Sequence, residues 1–256
     1  MVILFFLPDH PRHAGWLTTE ERTELETELA LEKAQGNAKG HMTLMQGLRH
    51  PKVLLLAFAY FCTVTASYGV VFFLPSILDR WYQLKFEKLA WLVILPPLMA
   101  LVGQIFVGWN SDRTKERRMH TVLPILAGAA ALALAPLTQG HLVLTIICFM
   151  VALAGVKAYL PAFWTMPSLF LQQSAAAASI GFINSVGNLG GQMGPYVLGK
   201  VETVTGSFVG GLYYLAISMT VSAIVVFFLG LGHKDMGTIA NVPEPAVPGT
   251  PAAAKV

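Results

Sequence analysis

Lys157 lies deep inside an apolar run, with Leu142 to Val156 before it and Leu160 to Phe163 after it. A charged amine at the centre of a membrane helix costs roughly 2.5–3.5 kcal/mol on insertion scales. Two roles could offset that cost. Lys157 could be structural, bonded to carbonyls that Pro161 frees, or it could be a cationic site for an anionic substrate or a group that titrates during transport. Pro161 and Pro167 interrupt the same run, with Phe163 and Trp164 between them. A membrane proline frees a carbonyl and bends the axis, which suits either a gate or simple packing geometry.

The run from Ile183 to Pro195 is polar for a helix in lipid. Asn184 and Asn188 are four apart and share a face, and Gln192 follows them. Gly187 with Gly191, and Gly190 with Gly194, form two G-x-x-x-G pairs. Such pairs let another helix approach closely, and the amides then bond across the contact or line a water-filled cavity. Tyr60, Val64 and Tyr68 recur at intervals of four, forming one stripe whose phenols could bond a carboxylate or hydroxyl, or one another.

The segment from Gly108 to Arg118 reads as a tight loop between two spans, with a small Gly108, an Asp112–Arg113 pair and a basic cluster ending in Arg117 and Arg118. That order fits a cytoplasmic latch. Signs of an enzyme are missing. The seven His residues lie outside the apolar runs or at their ends, and no nucleophile elbow or H-E-x-x-H motif occurs. The expectation is a protein with no catalytic residues, metal or cofactor.

What must hold these residues is a membrane bundle. The 256 residues are 55% hydrophobic and 12% charged, with a mean hydropathy of +0.60. Soluble domains carry about a quarter charged residues. Six apolar segments can cross a bilayer: 53–78, 89–107, 119–138, 142–170, 175–201 and 208–231. The fold class is therefore all-α and integral to the membrane. Residues 1–8 read as the end of a preceding transmembrane helix, and 9–52 as a cytoplasmic loop. That loop carries a short amphipathic helix opened by a Thr18–Glu21 capping box, followed by a flexible break from Gly36 to Gly40. Residues 53–232 form the six-helix domain, and 233–256 read as a disordered cytoplasmic tail.

With both ends inside, twelve Lys and Arg residues fall on the cytoplasmic face and four (Arg80, Lys85, Lys88, Lys200) on the other. Glu202 and Lys200 read as an interfacial pair. Cys62 and Cys148 read as small buried hydrophobes without a disulfide.

Several segments together resemble the carboxyl-terminal half of a major facilitator superfamily transporter, in its anion:cation symporter family. They are Leu7-Pro8-Asp9 with Trp16-Leu17-Thr18, Tyr68-Gly69 before Phe73-Leu74-Pro75, and Ser111-Asp112-Arg113 with Glu116-Arg117-Arg118 and His120. Pro161 to Pro167, Ile183 to Tyr196, and Thr205-Gly206-Ser207 complete the set. One departure is clear: the superfamily's loop motif has Gly where this chain has Lys115, and Glu116 precedes the basic pair. The resemblance implies one half of a twelve-helix fold and a permease for organic anions such as tartrate-like carboxylates, commonly proton-driven, in a bacterial inner membrane. Its implied partners are the anion, protons, the lipid bilayer and an amino-terminal six-helix half, with no nucleic acid. A half-size, non-transporting component that needs a partner half is the alternative.

Overall fold

The computed structural model describes residue 11 and residues 14–38, 44–171 and 173–232. Every regular element among them is helical: α1 Thr19–Ala38, α2 Leu44–Leu48, α3 Pro51–Tyr82, α4 Phe86–Thr114, α5 Arg118–Leu134, α6 Leu142–Ala158, α7 Leu160–Thr165, α8 Gln173–Thr205 and α9 Val209–Leu229. Short 3₁₀ turns follow α5 at Ala135–Thr138 and α7 at Pro167–Leu169. The expected end of a preceding helix at 1–8 and the expected tail at 233–256 lie outside the described residues.

All six expected spans are helices. Five of them are long and apolar enough to cross a membrane: α3, α4, α5 with its 3₁₀ turn, α6 continued to Leu169, and α9. The remaining one, α8, has 33 residues, but Asn184, Asn188, Gln192 and its serines and glycines dilute its apolar content. A multi-pass membrane protein follows.

Local chemistry sets the helix ends. The Thr18 backbone N–H and hydroxyl donate to Glu21 Oε2, both at 2.9 Å, and the Glu21 N–H donates to Thr18 Oγ1 at 3.3 Å. These bonds open α1 and hold the Glu21 carboxyl below its ordinary range. Of the flexible break expected from Gly36 to Gly40, the part up to Ala38 is helical because one glycine costs a helix only about 1 kcal/mol, and Lys39 and Gly40 lie outside the described residues. Pro51 occupies the first turn of α3, where its missing N–H is harmless, and His50 Nδ1 accepts the Lys52 N–H.

The fourth expected span is two helices. Pro161 has no N–H to give the Lys157 carbonyl four residues back, and its ring crowds that carbonyl. Thus α6 stops at Ala158, Tyr159 makes the turn, and the Tyr159 N–H turns back to the Lys157 carbonyl. The Phe163 N–H then restarts the ladder on the Tyr159 carbonyl at 2.9 Å.

Five contacts organise the bundle. α3 lies against α8 and α9, α6 lies against α4 and α5, and α5 also meets α9. In hydrocarbon there is no hydrophobic force between helices, so small residues and hydroxyls must join them. A Cβ on Gly155 of α6 would sit 2.5 Å from the Pro124 carbonyl and 2.6 Å from Gly128 Cα, so only hydrogens fit at this crossing. Ser222 of α9 is 2.7 Å from Thr63 of α3, and both hydroxyls reach the Ala59 carbonyl. Ser218 of α9 donates to the Cys62 carbonyl at 2.9 Å. Cys62 is buried, Cys148 is half-buried, and both thiols are unpaired.

At the far end of α3, Arg80 pairs with Glu202 at 3.0 Å and also donates to the Gly206 carbonyl. The expected Lys200–Glu202 pair is therefore corrected. Two residues apart on a helix, their side chains diverge, and Lys200 lies over the Tyr196 ring instead.

Replacing Ser222 by Ala removes one membrane-buried bond between α3 and α9 and should lower stability by about 0.6–1.7 kcal/mol. Gly155→Leu should cost considerably more by forcing α5 and α6 apart. Reversible unfolding in mixed micelles measures both; equal stability of Gly155→Leu and the parent would contradict the crossing.

Candidate functional site

The site is built on the α3–α8 contact. The four glycines expected at a packing face all turn toward α3. A Cβ at Gly187 would strike the Tyr60 ring, one at Gly190 the Phe61 carbonyl and Thr65, and one at Gly194 the Thr65 carbonyl. At Gly191 it would meet the Tyr68 ring at 3.3 Å. Close approach of α8 thus seats the two tyrosines of the stripe in glycine recesses.

Tyr60 is also held from the other side. Its ring stacks on Phe163 with centroids 5.4 Å apart and meets Trp164 edge-on at 5.0 Å. An aromatic cluster therefore bridges α3, α7 and α8 just beyond the helix break. Tyr68, two turns further along α3, is exposed and stacks on Phe72 at 6.1 Å.

With its glycines against α3, α8 turns its amides outward. Asn184, Asn188 and Gln192 are all exposed. The Asn188 amide donates to the Asn184 carbonyl at 2.9 Å and to its side-chain oxygen at 3.2 Å. Tyr196, another four residues on, is 58% exposed beside them. The same spacing carried one step further along the sequence points to it. A row of amides and a phenol facing outward from a membrane helix is costly in lipid and suits water, a polar ligand or another polypeptide.

Lys157 occupies the last turn of α6 and is half-buried. Its amine makes no ion pair or hydrogen bond among the described residues. The broken helix makes it a helix-end residue, where unsatisfied carbonyls favour a cation. No hydrogen bond joins it to Asn184 or Asn188, and the ring and glycine contacts that gather Tyr60, Trp164 and Gly187 into one cluster do not include it.

The latch segment is mostly helix. Apolarity ends near Val107, but α4 continues as a polar helix to Thr114, so the connection shrinks to Lys115–Arg117. Gly108 is buried against Pro161, where a Cβ would lie 3.3 Å from the ring, which couples the end of α4 to the break beside Lys157. Arg117 donates to Asp112 Oδ1 at 2.6 Å and to Ser111 Oγ at 3.0 Å, while its own N–H bonds the Gly232 carbonyl at 2.9 Å. Arg118 lies 4.2 Å over the Phe227 ring, and Arg113 lies 5.5 Å from the Trp109 ring. The segment after α9 is thereby clamped to the start of α5.

A further group here escaped sequence reasoning. Glu116 accepts the Met119 N–H at 2.8 and 2.9 Å and the His120 N–H at 3.3 Å, capping α5. It also bonds His120 Nδ1 at 3.0 Å, and His120 Nε2 bonds Asn110 at 3.0 Å. The spacing of Glu116 and His120 at i, i+4 was the available signal. Among the described residues no group of three or more His, Cys, Asp or Glu could hold a metal ion.

Comparison with known proteins supplies the context. The sequence model of the Major Facilitator Superfamily matches residues 1–195. The chain is 37% identical over 229 residues to a putative tartrate transporter of Agrobacterium vitis, covering 90% of this chain and 50% of that protein. It is 35% identical to the inner membrane transport protein RhmT of Escherichia coli, covering 88% of this chain and 52% of that one. Identity to the putative metabolite transport protein NicT of Pseudomonas putida is 31%, covering 87% and 51%. The chain spans about half the length of these relatives.

Lys115 has φ of 56°, the left-handed conformation in which a side chain is strained by roughly 1–2 kcal/mol. Lys115→Gly should therefore raise stability by about 1 kcal/mol. A fall in the thermal midpoint in detergent would contradict the strain at this helix end.

Proposed function

The chain belongs to the major facilitator superfamily, and on that premise we propose that it forms the carboxyl-terminal six-helix half of a secondary active transporter for organic anions. Tartrate-like and related carboxylates are the proposed cargo, and symport with protons the proposed driving force. The proposed setting is a bacterial inner membrane with both ends of the chain on the cytoplasmic side. The resemblance to a putative tartrate transporter supports the cargo class. Twelve basic residues against four support the sidedness.

The observation that carries the reading is the outward row of Asn184, Asn188 and Gln192, backed by the Tyr60–Trp164 cluster. Transporters hold substrate near the midplane between two halves, beside broken helices. Here α6–α7 is broken beside Lys157, and an amine without a carboxylate partner is suited to attract an anion. Tyr68 and the amides would supply hydrogen bonds to carboxylate and hydroxyl oxygens. The pairs Asp112–Arg117 and Gly108–Pro161 connect the cytoplasmic turn to that break and suit a gate. The partner needed to enclose the path is a second six-helix half.

The test is uptake of labelled tartrate and a panel of other carboxylates by cells that express this chain joined to an amino-terminal half. Uptake should be saturable and should collapse with a protonophore. Lys157→Ala should reduce it at least about tenfold, the scale expected of an intramembrane charge in the pathway, with membrane levels unchanged. Full uptake by that variant would remove Lys157 from the path. No uptake of any carboxylate would instead favour the half-size, non-transporting reading.

A further inference from the structure

A concavity lies away from the α3–α8 face. It occupies about 410 Å³ between α4, α5 and α6, within the size range of ligand pockets. Its walls are small because each helix contributes a residue with little side chain: Gly103 from α4, Ala127 from α5, and Ala154 and Ala158 from α6. α4 and α5 each pack on α6 but meet one another sparingly. The hollow is therefore a slot between them, floored by α6. Its lining includes exposed apolar side chains, with Met99 39% exposed on α4 and Leu123 55% exposed on α5. In a membrane helix such side chains face acyl chains.

The polar end of the slot is at the α4–α5 turn. Asn110 and His120 line it, but they bond each other and Glu116, so neither waits for a polar substrate. The charges around the turn are uneven. Between residues 112 and 118 there are four cations and two carboxylates. Asp112 is taken by Arg117, and Glu116 turns inward to cap α5 and hold His120. Arg118 covers Phe227. Arg113 and Lys115 remain exposed, with no carboxylate partner among the described residues. Arg113 lies one turn beyond Asn110 and beside Trp109, an exposed aromatic of the type that marks the headgroup level.

We infer that this slot holds one acyl chain of an anionic phospholipid, with its phosphate at Arg113 and Lys115. An apolar slot whose polar end, at Asn110 and His120, lies next to a turn with two unpaired cations matches that amphiphile. The occupant would pin α4 to α5 beside the turn that Gly108 couples to the helix break.

The test is native mass spectrometry of the full chain in detergent, titrated with phosphatidylglycerol or with phosphatidylcholine of the same acyl chains. The parent should retain phosphatidylglycerol roughly tenfold better, because basic residues at the surface favour anionic lipid. Arg113→Gln with Lys115→Gln, both exposed, should erase that preference while leaving chain binding. Ala127→Phe should lower retention of both lipids. Equal retention of the two lipids by the parent overturns the assignment, as does full retention by Ala127→Phe.

Because a filled slot can disturb packing, a second measurement stands apart from it. A photoreactive benzoylphenylalanine at Leu123, activated in phosphatidylglycerol vesicles, should yield a lipid adduct. A peptide adduct instead would assign the slot to a protein helix and overturn the proposal.

Discussion

A backbone amide in hydrocarbon has no water to bond, and this constraint shapes every span. Each helix must satisfy itself, and any break must be repaired locally. The repair is visible at Tyr159, whose N–H returns to the Lys157 carbonyl while its own carbonyl receives the Phe163 N–H. It is visible again at the ends of the bundle. The Gly232 carbonyl takes the Arg117 N–H that α5 cannot satisfy, and Glu116 takes the next ones. Several polar groups at depth are closed within their helix or handed to an adjacent one, as with Ser222 and Ser218 against α3, while Ser67 Oγ and Ser179 Oγ are buried without a partner.

Contact between spans then depends on what the side chains leave empty. Where glycines line one face, backbones approach and aromatic rings fill the recesses, as Tyr60 and Tyr68 do against Gly187 and Gly191. Where only part of an interface is small, as between α4 and α5, the helices splay and a slot remains. The same residue class thus produces a tight contact and a cavity. The difference is where the small residues meet: Gly155 meets Gly128 of α5 and Gly103 of α4 faces Ala154 and Ala158 of α6, whereas α4 and α5 touch one another sparingly.

Much of this was legible in the sequence. Five of the six spans follow from apolar length, the start of α1 from Thr18 and Glu21, and the interruption at Pro161 from the chemistry of proline. The α4–α5 connection was drawn too long because hydropathy reports where the bilayer ends, whereas the helix ends at Lys115. The partner of Glu202 was misassigned for a different reason: Arg80 lies 122 positions away, and adjacency in sequence favoured Lys200. Tyr196 was legible from its spacing. The bonds joining Glu116, His120 and Asn110 needed α4 to extend past the membrane and so could not be read from span boundaries.

Lys157 and Pro161 are best understood together. A lysine in the middle of a continuous membrane helix meets carbonyls already committed to their own ladder, so nothing nearby offsets its charge. Four residues on, Pro161 withholds an N–H from the Lys157 carbonyl itself, ends α6 and leaves the negative end of a helix dipole at that point. The proline thereby creates the local field in which the amine is tolerable at this depth. The same break lets α7 carry Phe163 and Trp164 onto Tyr60, and Gly108 of α4 packs against the proline ring. The aromatic cluster and the α4–α5 turn are consequently both anchored at the break beside the charge, the first through Phe163 and Trp164 and the second through Gly108 against Pro161.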